Sequence, residues 1–402
     1  MISRSRAFSI VTEAFKPTEP SWTDLSLASG AVLAEDVRCS IDMPPFDRSA
    51  MDGYAIAGEG DDLELCDEIA AGSVGAPLAS GQAAPIMTGA PVPEGADRVV
   101  MVERTRREGG RVRIEAVPSA GANICRRGED ISAGDLVIAA GSILTPNRIG
   151  IAAMAGRQSL RVRPRLAVGL LTTGNEVIPP PSVPGPGQVR NANLPMMRAL
   201  LDGAWADVKT VLHAADDPES LRSSLSQLIS SCDVVVAAGG VSMGTRDYVP
   251  GVLKELGVVL AFDRVAQKPG KPLTFGTAPD GTRVFGMPGN PVSVLVSVEE
   301  YLLPALRRAA GHASFEKRDL RGRACFSHRA KPGRDELLRV RAVYDDSEWS
   351  LELPDSSGSG DLMSTASTNA LAVLEADRLN VEPGCDLLFH LYSFAAGEAA
   401  FR

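Results

Sequence analysis

The sequence predicts a multidomain protein that combines one α/β domain with β domains, and three observations support this prediction. A chain of 402 residues exceeds one ordinary core, so two to four domains are expected. Apolar strands alternate with helices through residues 164–312, which indicates a largely parallel sheet covered on both faces. Short strands separated by Gly, Pro and Asp turns occupy residues 41–131 and 313–402.

Composition excludes several classes of protein. The net charge of −9 argues against a general role on nucleic acid or on a membrane surface, because phosphate groups are bound through excess Lys and Arg. The six cysteines include no C-x-x-C pair and the four histidines are dispersed, so we expect reduced thiols and no zinc site. No apolar run approaches membrane-spanning length, and we expect a cytoplasmic protein.

Residues 1–40 carry two helical patterns, neither of which could fold alone, and residues 132–163 could pair with them. Residues 41–131 then form an inserted β domain. Helices are predicted near residues 9–15, around 25–34 and from Pro146 to Ala155, the last closed by Gly156, with a strand over 136–144.

The α/β domain, residues 164–312, supplies the strands whose carboxyl ends bind ligands in sheets of this kind. Asp217 is expected to cap a helix that starts at Pro218. Strands are predicted over 166–171, 208–212, 233–238 and 284–287, and helices over 194–201, from Pro218 and over 292–303. The C-terminal domain, residues 313–402, is expected to hold strands over 337–343, 370–374 and 386–394.

The turn at residues 288–291 is the most specified stretch, because an apolar strand leads into it and an apolar helix follows. Asn290 suits an N-cap and Pro291 suits the first helical position. The positive end of that helix would suit an anion. Taken alone, however, the stretch is better interpreted as a well-capped core helix.

Two further loops follow strands of the same sheet. The first places Glu176 after a strand, where a solvated residue is the simpler interpretation. In the second, Gly239 and Gly240 let backbone N–H groups approach a phosphate, although the spacing matches no known phosphate-binding motif. Asp247 downstream could either cap a helix or act as a catalytic carboxylate.

A fourth loop carries two cations, Lys268 and Lys271, on either side of Pro-Gly. Pro and Gly at the central positions suit a type II turn, which would hold the two lysine Cα atoms within ~7 Å of each other. The two charges repel each other unless an anion lies between them. The following prolines restrict the backbone, so we favour an anion-binding turn over a solvated loop.

Three stretches of the inserted domain carry polar residues that, taken singly, are interpreted as structural. Asp52 precedes a glycine as many turn residues do. Thr88 lies in a possible hairpin, and Asp130 in a charged loop.

Six motifs together resemble the molybdopterin molybdenumtransferase family, which includes the MoeA proteins and the C-terminal domain of gephyrin. They occupy residues 42–54, 87–93, 127–130, 242–248, 268–272 and 287–293. The resemblance runs from about residue 25 to the end of the chain, and Asn175 stands where many members carry an acidic residue. Six motifs in the same order are too many to match by coincidence.

This resemblance implies an elongated four-domain protein: a split N-terminal domain formed by residues 1–40 with 132–163, the inserted β domain, a three-layer α/β/α molybdopterin-binding domain and a C-terminal β barrel. Members are typically homodimers, with a site built between the α/β domain of one subunit and the inserted and terminal domains of the other. The implied reaction is the last step of molybdenum cofactor biosynthesis. Molybdate is inserted into adenylylated molybdopterin, AMP is released and Mg²⁺ is required. Transient contact with the molybdopterin adenylyltransferase is also implied.

The resemblance also assigns roles to residues. The carboxylates expected to be catalytic are Asp52, Asp247, Glu176 and Asp130, of which Asp247 and Glu176 would hold the metal. The residues expected to bind substrate are Thr88, Gly239, Gly240, Ser242, Lys268, Lys271, Pro288, Pro291, Arg334 and Ser364.

Two other functions remain open at the level of sequence. The preceding adenylyltransferase step uses a similar α/β domain, but the inserted and barrel domains argue against it. A scaffold without chemistry is possible on this fold. We expect no fused partner domain, however, and the chain retains carboxylates that scaffolding does not need. Molybdate and tungstate are not distinguished.

Overall fold

A computed structural model describes residues 1–70, 72–201, 205–241, 248–345 and 347–394. Within these ranges the α-helices are Arg4–Ala14, Pro146–Met154, Asn193–Leu201, Pro218–Ile229, Val249–Glu255, Pro291–Ser297 and Leu303–Ala309. A π-helical segment, Val298–Leu302, joins the last two. No helix of these ranges is both long and apolar enough to cross a membrane.

The central sheet has six strands, of which the first four in spatial order run parallel. Their order across the sheet is Ala206–Ala214, Leu166–Thr173, Val234–Ala238, Arg283–Met287, Thr274–Thr277 and Val259–Phe262. Val234–Ala238 is buried along its whole length because helices cover both faces of the sheet. The predicted parallel α/β arrangement is confirmed, with two antiparallel strands added at one edge.

Helices of the central domain start where the sequence predicts. Asp217 accepts hydrogen bonds from the backbone N–H groups of Glu219 and Ser220 and so caps Pro218–Ile229. The continuous run from Pro291 to Ala309 packs inside the protein as its apolar pattern predicts. It also buries Glu299 and Glu300, which the apolar pattern does not explain.

The C-terminal region forms a closed barrel of five strands. Their order around the barrel is Asp335–Asp345, Glu348–Glu352, Leu320–Ala324, Asp386–Leu391 and Ala370–Leu374, and the last pairs with the first. The short strand Gln267–Lys268 of the central domain pairs in parallel with Asp335–Asp345. This pairing brings the predicted lysine turn against the barrel.

The inserted β region consists of a six-stranded sheet and a short pair. The sheet order is Arg98–Met101, Gly53–Ile56, Gln82–Ile86, Asp62–Leu65, Arg111–Ile114 and Thr105–Glu108. The pair is Ile124–Cys125 with Arg48–Ser49. Turns with positive φ, such as those at Gly58 and Gly109, separate the strands.

The N-terminal region differs from the prediction in two elements. The helix expected at 25–34 is wrong: a 3-10 turn, Leu25–Leu27, is followed by the strand Val32–Leu33. Gly30 has φ 75°, which interrupts any helix there. The strand expected over 136–144 ends at Ile138, before Gly141 with φ 78°. The three-stranded sheet has the order Ser21–Asp24, Ser159–Arg163 and Val32–Leu33.

Residues 132–163 return to the N-terminal segment through strands rather than through its helices. Leu136–Ile138 pairs with Val37–Arg38, and Ser159–Arg163 pairs with two N-terminal strands. The first helix, Arg4–Ala14, instead packs its buried side chains onto the core of the central sheet. The domain limits at residues 40, 131, 163 and 312 stay predictions from the sequence.

Candidate active site

Two neighbouring cavities lie at the carboxyl edge of the central sheet. The first, the sheet-edge cavity, has a volume of about 540 Å³ and is lined by the loops after three strands, including Glu176, Gly239 and Gly240. The second, the lysine cavity, has a volume of about 800 Å³ and lies between the lysine turn and the barrel. Three of the four predicted loops therefore meet at one cavity, and the lysine turn lines the other.

The Gly239–Gly240 loop brings bare backbone to the sheet-edge cavity. Gly239 has φ 106° and Gly240 has φ 66°, both in the region that favours glycine. A Cβ on Gly239 would lie 2.7 Å from the Thr173 hydroxyl oxygen, so no side chain fits there. The Oγ1 of Thr173 is buried and has no hydrogen-bond partner among the described residues. A ligand in this cavity could therefore approach the backbone of Gly239 and Gly240 closely.

Carboxylates also line the sheet-edge cavity. Glu176 is exposed to it, and Asp216 lies beside it, where the Asp216 carboxylate accepts a hydrogen bond of 3.2 Å from the Asn175 backbone N–H. Oxygen ligands of this type suit Mg²⁺. No cluster of three or more His, Cys, Asp or Glu side chains suited to a metal occurs in the described ranges. Ser242 and Asp247 lie outside the described residues, so their predicted roles stay predictions.

The turn at 288–291 separates the two cavities. Pro288 lines the lysine cavity, Pro291 lines the sheet-edge cavity, and Gly289 and Asn290 line both. Asn290 occupies the predicted N-cap position. Its side chain, however, makes no capping hydrogen bond to the helix Pro291–Ser297. Its Nδ2 instead donates a 2.9 Å hydrogen bond to Ser359 Oγ and ties the turn to the barrel.

The lysine turn presents its charges to the second cavity. Gly270 has φ 89°, the sign that a type II turn requires at that position, and the Lys268–Pro269 peptide bond is cis. Lys268 Nζ donates a 2.9 Å hydrogen bond to Glu336 Oε1, and Lys271 is exposed. The two predicted cations therefore differ, because Lys268 has an internal partner, whereas the Lys271 amine has no ion pair with any of the described residues.

Glu336 is almost fully buried, and its second oxygen, Oε2, lies 2.7 Å from His328 Nε2. Burial tends to raise the pKa of this carboxyl. The hydrogen bonds and charges of His328 and Lys268 outweigh burial and hold the pKa below its ordinary value. The carboxylate is therefore ionised at neutral pH.

Further cations of the barrel face the lysine cavity. Arg334, predicted from the sequence, lines it, and so does Arg339, which the sequence analysis missed. Arg339 is half-buried, and burial lowers the pKa of its guanidinium. Ser364 does not line the cavity; it lies on the 3-10 turn Met363–Thr365, where its hydroxyl donates a 2.8 Å hydrogen bond to Asp361 O.

The predicted residues of the inserted domain lie together but line neither cavity of their own chain. Asp52 Oδ1 accepts hydrogen bonds from the backbone N–H of Thr88 at 2.7 Å and from its hydroxyl at 2.8 Å. These bonds lower the pKa of Asp52. Asp130 holds its loop through a 3.0 Å backbone hydrogen bond from its N–H to Met43 O.

The fold and the site define a class of protein. It has an open α/β sheet with a glycine loop at its carboxyl edge, a cationic cavity closed by a five-stranded barrel, and an N-terminal region split by an inserted β region. Such a site suits a ligand that carries several anionic groups.

Comparison with known proteins identifies the family within this class. Residues 2–156 match the MoeA N-terminal region (domain I and II), residues 169–308 match the "Probable molybdopterin binding domain", and residues 321–392 match the MoeA C-terminal region (domain IV). The chain is 32% identical over 395 residues to the molybdopterin molybdenumtransferase of a Nostoc species, covering 95% of this chain and 91% of that protein.

Other relatives agree. The molybdopterin molybdenumtransferase of Haemophilus influenzae is 32% identical over 377 residues, covering 92% of this chain and 93% of that protein. The structure of the molybdopterin biosynthesis MoeA protein of Pyrococcus horikoshii is similar with a TM-score of 0.81 at 27% identity, covering 97% of this chain and 99% of that one. The chain belongs to the MoeA family of molybdopterin molybdenumtransferases.

Proposed function

We propose that this protein is a transferase of molybdenum cofactor biosynthesis that inserts molybdate into adenylylated molybdopterin and releases AMP. The observation that carries the proposal is the pair of cavities at one sheet edge, with cations in one and a glycine loop in the other. The substrates carry phosphates and a tetrahedral dianion, which need N–H donors and clustered cations in an otherwise acidic protein. The relatives from Nostoc and Haemophilus influenzae are named molybdopterin molybdenumtransferases, which supports the transferase part of the proposal.

The two cavities divide the ligand groups between them in this proposal. Gly239 and Gly240 offer backbone N–H groups to a phosphate in the sheet-edge cavity. Lys268, Lys271 and Arg334 hold the oxyanion in the lysine cavity. Pro288 and Pro291 fix the wall between the cavities, so that both ligands meet at the turn.

Mg²⁺ dependence is part of the proposal. The carboxylate of Glu176 lines the sheet-edge cavity and offers the oxygen ligands that Mg²⁺ prefers, as Asp216 does. Asp247 is proposed as the second predicted ligand. The bound ion would neutralise charge on phosphate oxygens, while the residues of this chain orient the phosphates beside the glycine loop.

The site is proposed to be completed in a homodimer. Asp52, Thr88 and Asp130 line neither cavity of their own chain, so we propose that they serve the site of the second subunit. Ser364 is proposed to contribute an anion contact, and Ser242 a phosphate contact. A cytoplasmic location and transient delivery of substrate by the adenylyltransferase complete the proposal.

The activity is tested by incubating the purified protein with adenylylated molybdopterin, molybdate and Mg²⁺. We expect release of AMP together with active cofactor, measured by activation of a cofactor-free molybdoenzyme. Omitting molybdate or chelating Mg²⁺ should abolish cofactor formation. If the complete mixture releases no AMP and forms no cofactor, the transferase proposal is wrong and a scaffold role is favoured.

A further inference from the structure

A buried carboxylate lies in the cavity that is proposed to bind an oxyanion. Glu336 lies on the barrel strand Asp335–Asp345, which pairs in parallel with Gln267–Lys268. In this pairing Glu336 lies directly opposite Lys268. Its side chain is 4% exposed, whereas that of Lys268 is 57% exposed. Glu336 lines the lysine cavity together with both of its partners.

Both oxygens of Glu336 are engaged. Oε1 accepts the 2.9 Å hydrogen bond from Lys268 Nζ, and Oε2 is 2.7 Å from His328 Nε2. An ionised carboxylate only accepts hydrogen bonds, so His328 donates through its Nε2–H. The neighbouring Asp335 instead pairs with Arg4 at 3.0 Å. Glu336 is therefore the acid of this strand pair that is directed to the lysine turn.

A negative charge at this place needs an explanation. It repels an incoming oxyanion, and it occupies the amine that the oxyanion requires. A buried salt bridge is weak evidence for a contribution to stability, because desolvation offsets much of the attraction. The contacts of Glu336 therefore point to the ligand rather than to the fold.

We propose that Glu336 is an internal counter-ion of Lys268: it holds the lysine amine in the free protein and weakens the binding of the oxyanion substrate. It is a positioning residue, because it acts on the ligand through Lys268. The inference rests on the proposed function, since it takes Lys268 as an anion contact.

Weak binding of the oxyanion suits a transfer reaction. An oxyanion held tightly before transfer must leave that stable complex, and tighter binding of the ground state does not raise turnover. An exchangeable partner lets Lys268 pair with the oxyanion and return to Glu336 after the oxyanion has left. The cavity then always presents a neutralised lysine when it is empty.

The test is a double-mutant cycle on molybdate binding, measured by calorimetry on the full chain. Glu336→Gln keeps the shape and the acceptor oxygen but removes the charge, and we expect molybdate affinity to rise about tenfold. Lys268→Ala should weaken binding. In the Lys268→Ala background, the gain from Glu336→Gln should fall to about twofold or less, because the two changes act through one contact.

The outcomes of this cycle distinguish a failure of the counter-ion inference from a failure of the anion role of Lys268. Equal gains from Glu336→Gln in both backgrounds indicate simple repulsion and overturn the counter-ion inference alone, as does the absence of any gain. If Lys268→Ala binds molybdate as the wild type does, the anion role of Lys268 fails, and this inference fails with it. Thermal unfolding checks that each variant is folded.

A second measurement separates this role from a structural one. In the activity assay, Glu336→Gln should lower the KM for molybdate about tenfold and leave the KM for adenylylated molybdopterin unchanged. A merely structural defect would change both. If Glu336→Gln does not fold, Glu336→Asp retracts the carboxylate from Lys268, and we expect it to tighten molybdate binding about threefold. Unchanged affinity in a folded Glu336→Asp would overturn the inference.

Discussion

Two hydrogen bonds from Thr88 hold the carboxylate of Asp52 in place. The amide and the hydroxyl of Thr88 both donate to the same oxygen of Asp52, Oδ1. These two bonds favour the charged form and lower the pKa of Asp52, so the group is ionised well into the acid range. Asp52 as a whole is exposed. Thr88 therefore fixes the position of the carboxylate through Oδ1 alone.

We therefore predict that Asp52→Asn impairs turnover more than binding. The amide oxygen can still accept from Thr88, so the loop keeps its geometry while the charge is lost. Turnover should fall at least about a hundredfold, as expected for a lost catalytic carboxylate. The Kd for adenylylated molybdopterin, measured by calorimetry, should change less than about threefold if the fold and the binding contacts are retained.

Asp24 offers a matched control for this prediction. Its Oδ1 likewise accepts from both the backbone N–H and the hydroxyl of Ser26, at 2.9 and 2.5 Å. Asp24 ends the strand Ser21–Asp24 of the N-terminal region and so lies outside the inserted β region that is proposed to serve the second subunit. Asp24→Asn should leave turnover unchanged. Equal loss of turnover and binding in Asp52→Asn would remove the proposed catalytic role of Asp52.

At the residue scale, sequence reasoning found cations and glycines but missed their partners. Lys268 and Gly239 were recognised because short motifs constrain the backbone around them. Glu336 was missed because it comes from 68 residues away, and its contact depends on how the barrel strand pairs with the lysine strand. No local pattern encodes such a register, so buried partners of this kind need the structure.

Among the elements, the Gly239–Gly240 turn after the strand Val234–Ala238 leaves no room for a side chain at Gly239. Gly239→Ala would place a Cβ 2.7 Å from Thr173 Oγ1 and 3.0 Å from Thr173 O, at a φ of 106°. We predict a loss of about 1–3 kcal/mol in the free energy of unfolding, the usual scale for such backbone strain. Urea unfolding measures it, and substrate binding should weaken in parallel.

Gly251 provides the control for this substitution. It lies in the helix Val249–Glu255, and a Cβ there would have no neighbour within 4 Å. Gly251→Ala should stabilise the protein by up to about 1 kcal/mol, since alanine favours a helix more than glycine does. A Gly239→Ala protein as stable as the wild type would show that the loop can shift without cost.

At the scale of elements, periodicity predicted the central sheet and failed in the N-terminal region. The strand Val234–Ala238 and the helix from Pro218 combine long apolar patterns with clear caps, and both are confirmed. Residues 25–34 have apolar residues at a spacing that also suits a helix, but strand pairing with Ser159–Arg163 decides their conformation. These two strands lie about 130 residues apart in the sequence, so their pairing is a tertiary effect that local propensity does not predict.

For the molecule as a whole, a buried cluster of charges joins three regions. Glu300 lies on the π-helical segment of the central domain and is 5% exposed. Its carboxylate lies 3.2 Å from Arg4 of the first helix, 3.1 Å from Lys317 before the barrel and 2.6 Å from His390 within the barrel. The cluster therefore fixes the barrel, and with it the lysine cavity, against the central domain.

This cluster makes stability depend on pH. Burial alone would raise the pKa of Glu300, but the charges of Lys317, His390 and Arg4 outweigh it and hold the pKa well below its ordinary value of 4.5. The lower pKa in the folded state means that the contribution to stability is fully present above about pH 4.5. It is lost as the pH falls toward the folded-state pKa.

We predict that Glu300→Gln destabilises the protein by about 1–3 kcal/mol, because His390 loses its 2.6 Å contact with the carboxylate, while Arg4 keeps Asp335 at 3.0 Å and Lys317 keeps Glu299 at 3.3 Å. The free energy of unfolding should also depend less steeply on pH below about 4.5 than in the wild type. As a control, Glu352→Gln removes an exposed pair with Arg341 and should cost less than about 1 kcal/mol. A Glu300→Gln protein with unchanged acid sensitivity would contradict this explanation.

The final prediction concerns how two chains build one site. In the proposed dimer, a site uses the lysine turn of one subunit and Asp52 of the other. Asp52→Asn chains and Lys268→Ala/Lys271→Ala chains should each be inactive alone. A hybrid dimer of the two should contain one site in which both sets of residues are intact, and one in which both are changed.

Mixing the two inactive variants under conditions that exchange subunits should therefore restore activity. With random exchange, half of the dimers are hybrids with one intact site each, so about a quarter of the wild-type activity per chain is expected. The control mixes each variant with itself and should stay inactive. If each chain builds its site alone, every chain carries a defect and the mixture remains inactive, because no rearrangement of subunits can then place Asp52 beside an intact lysine turn.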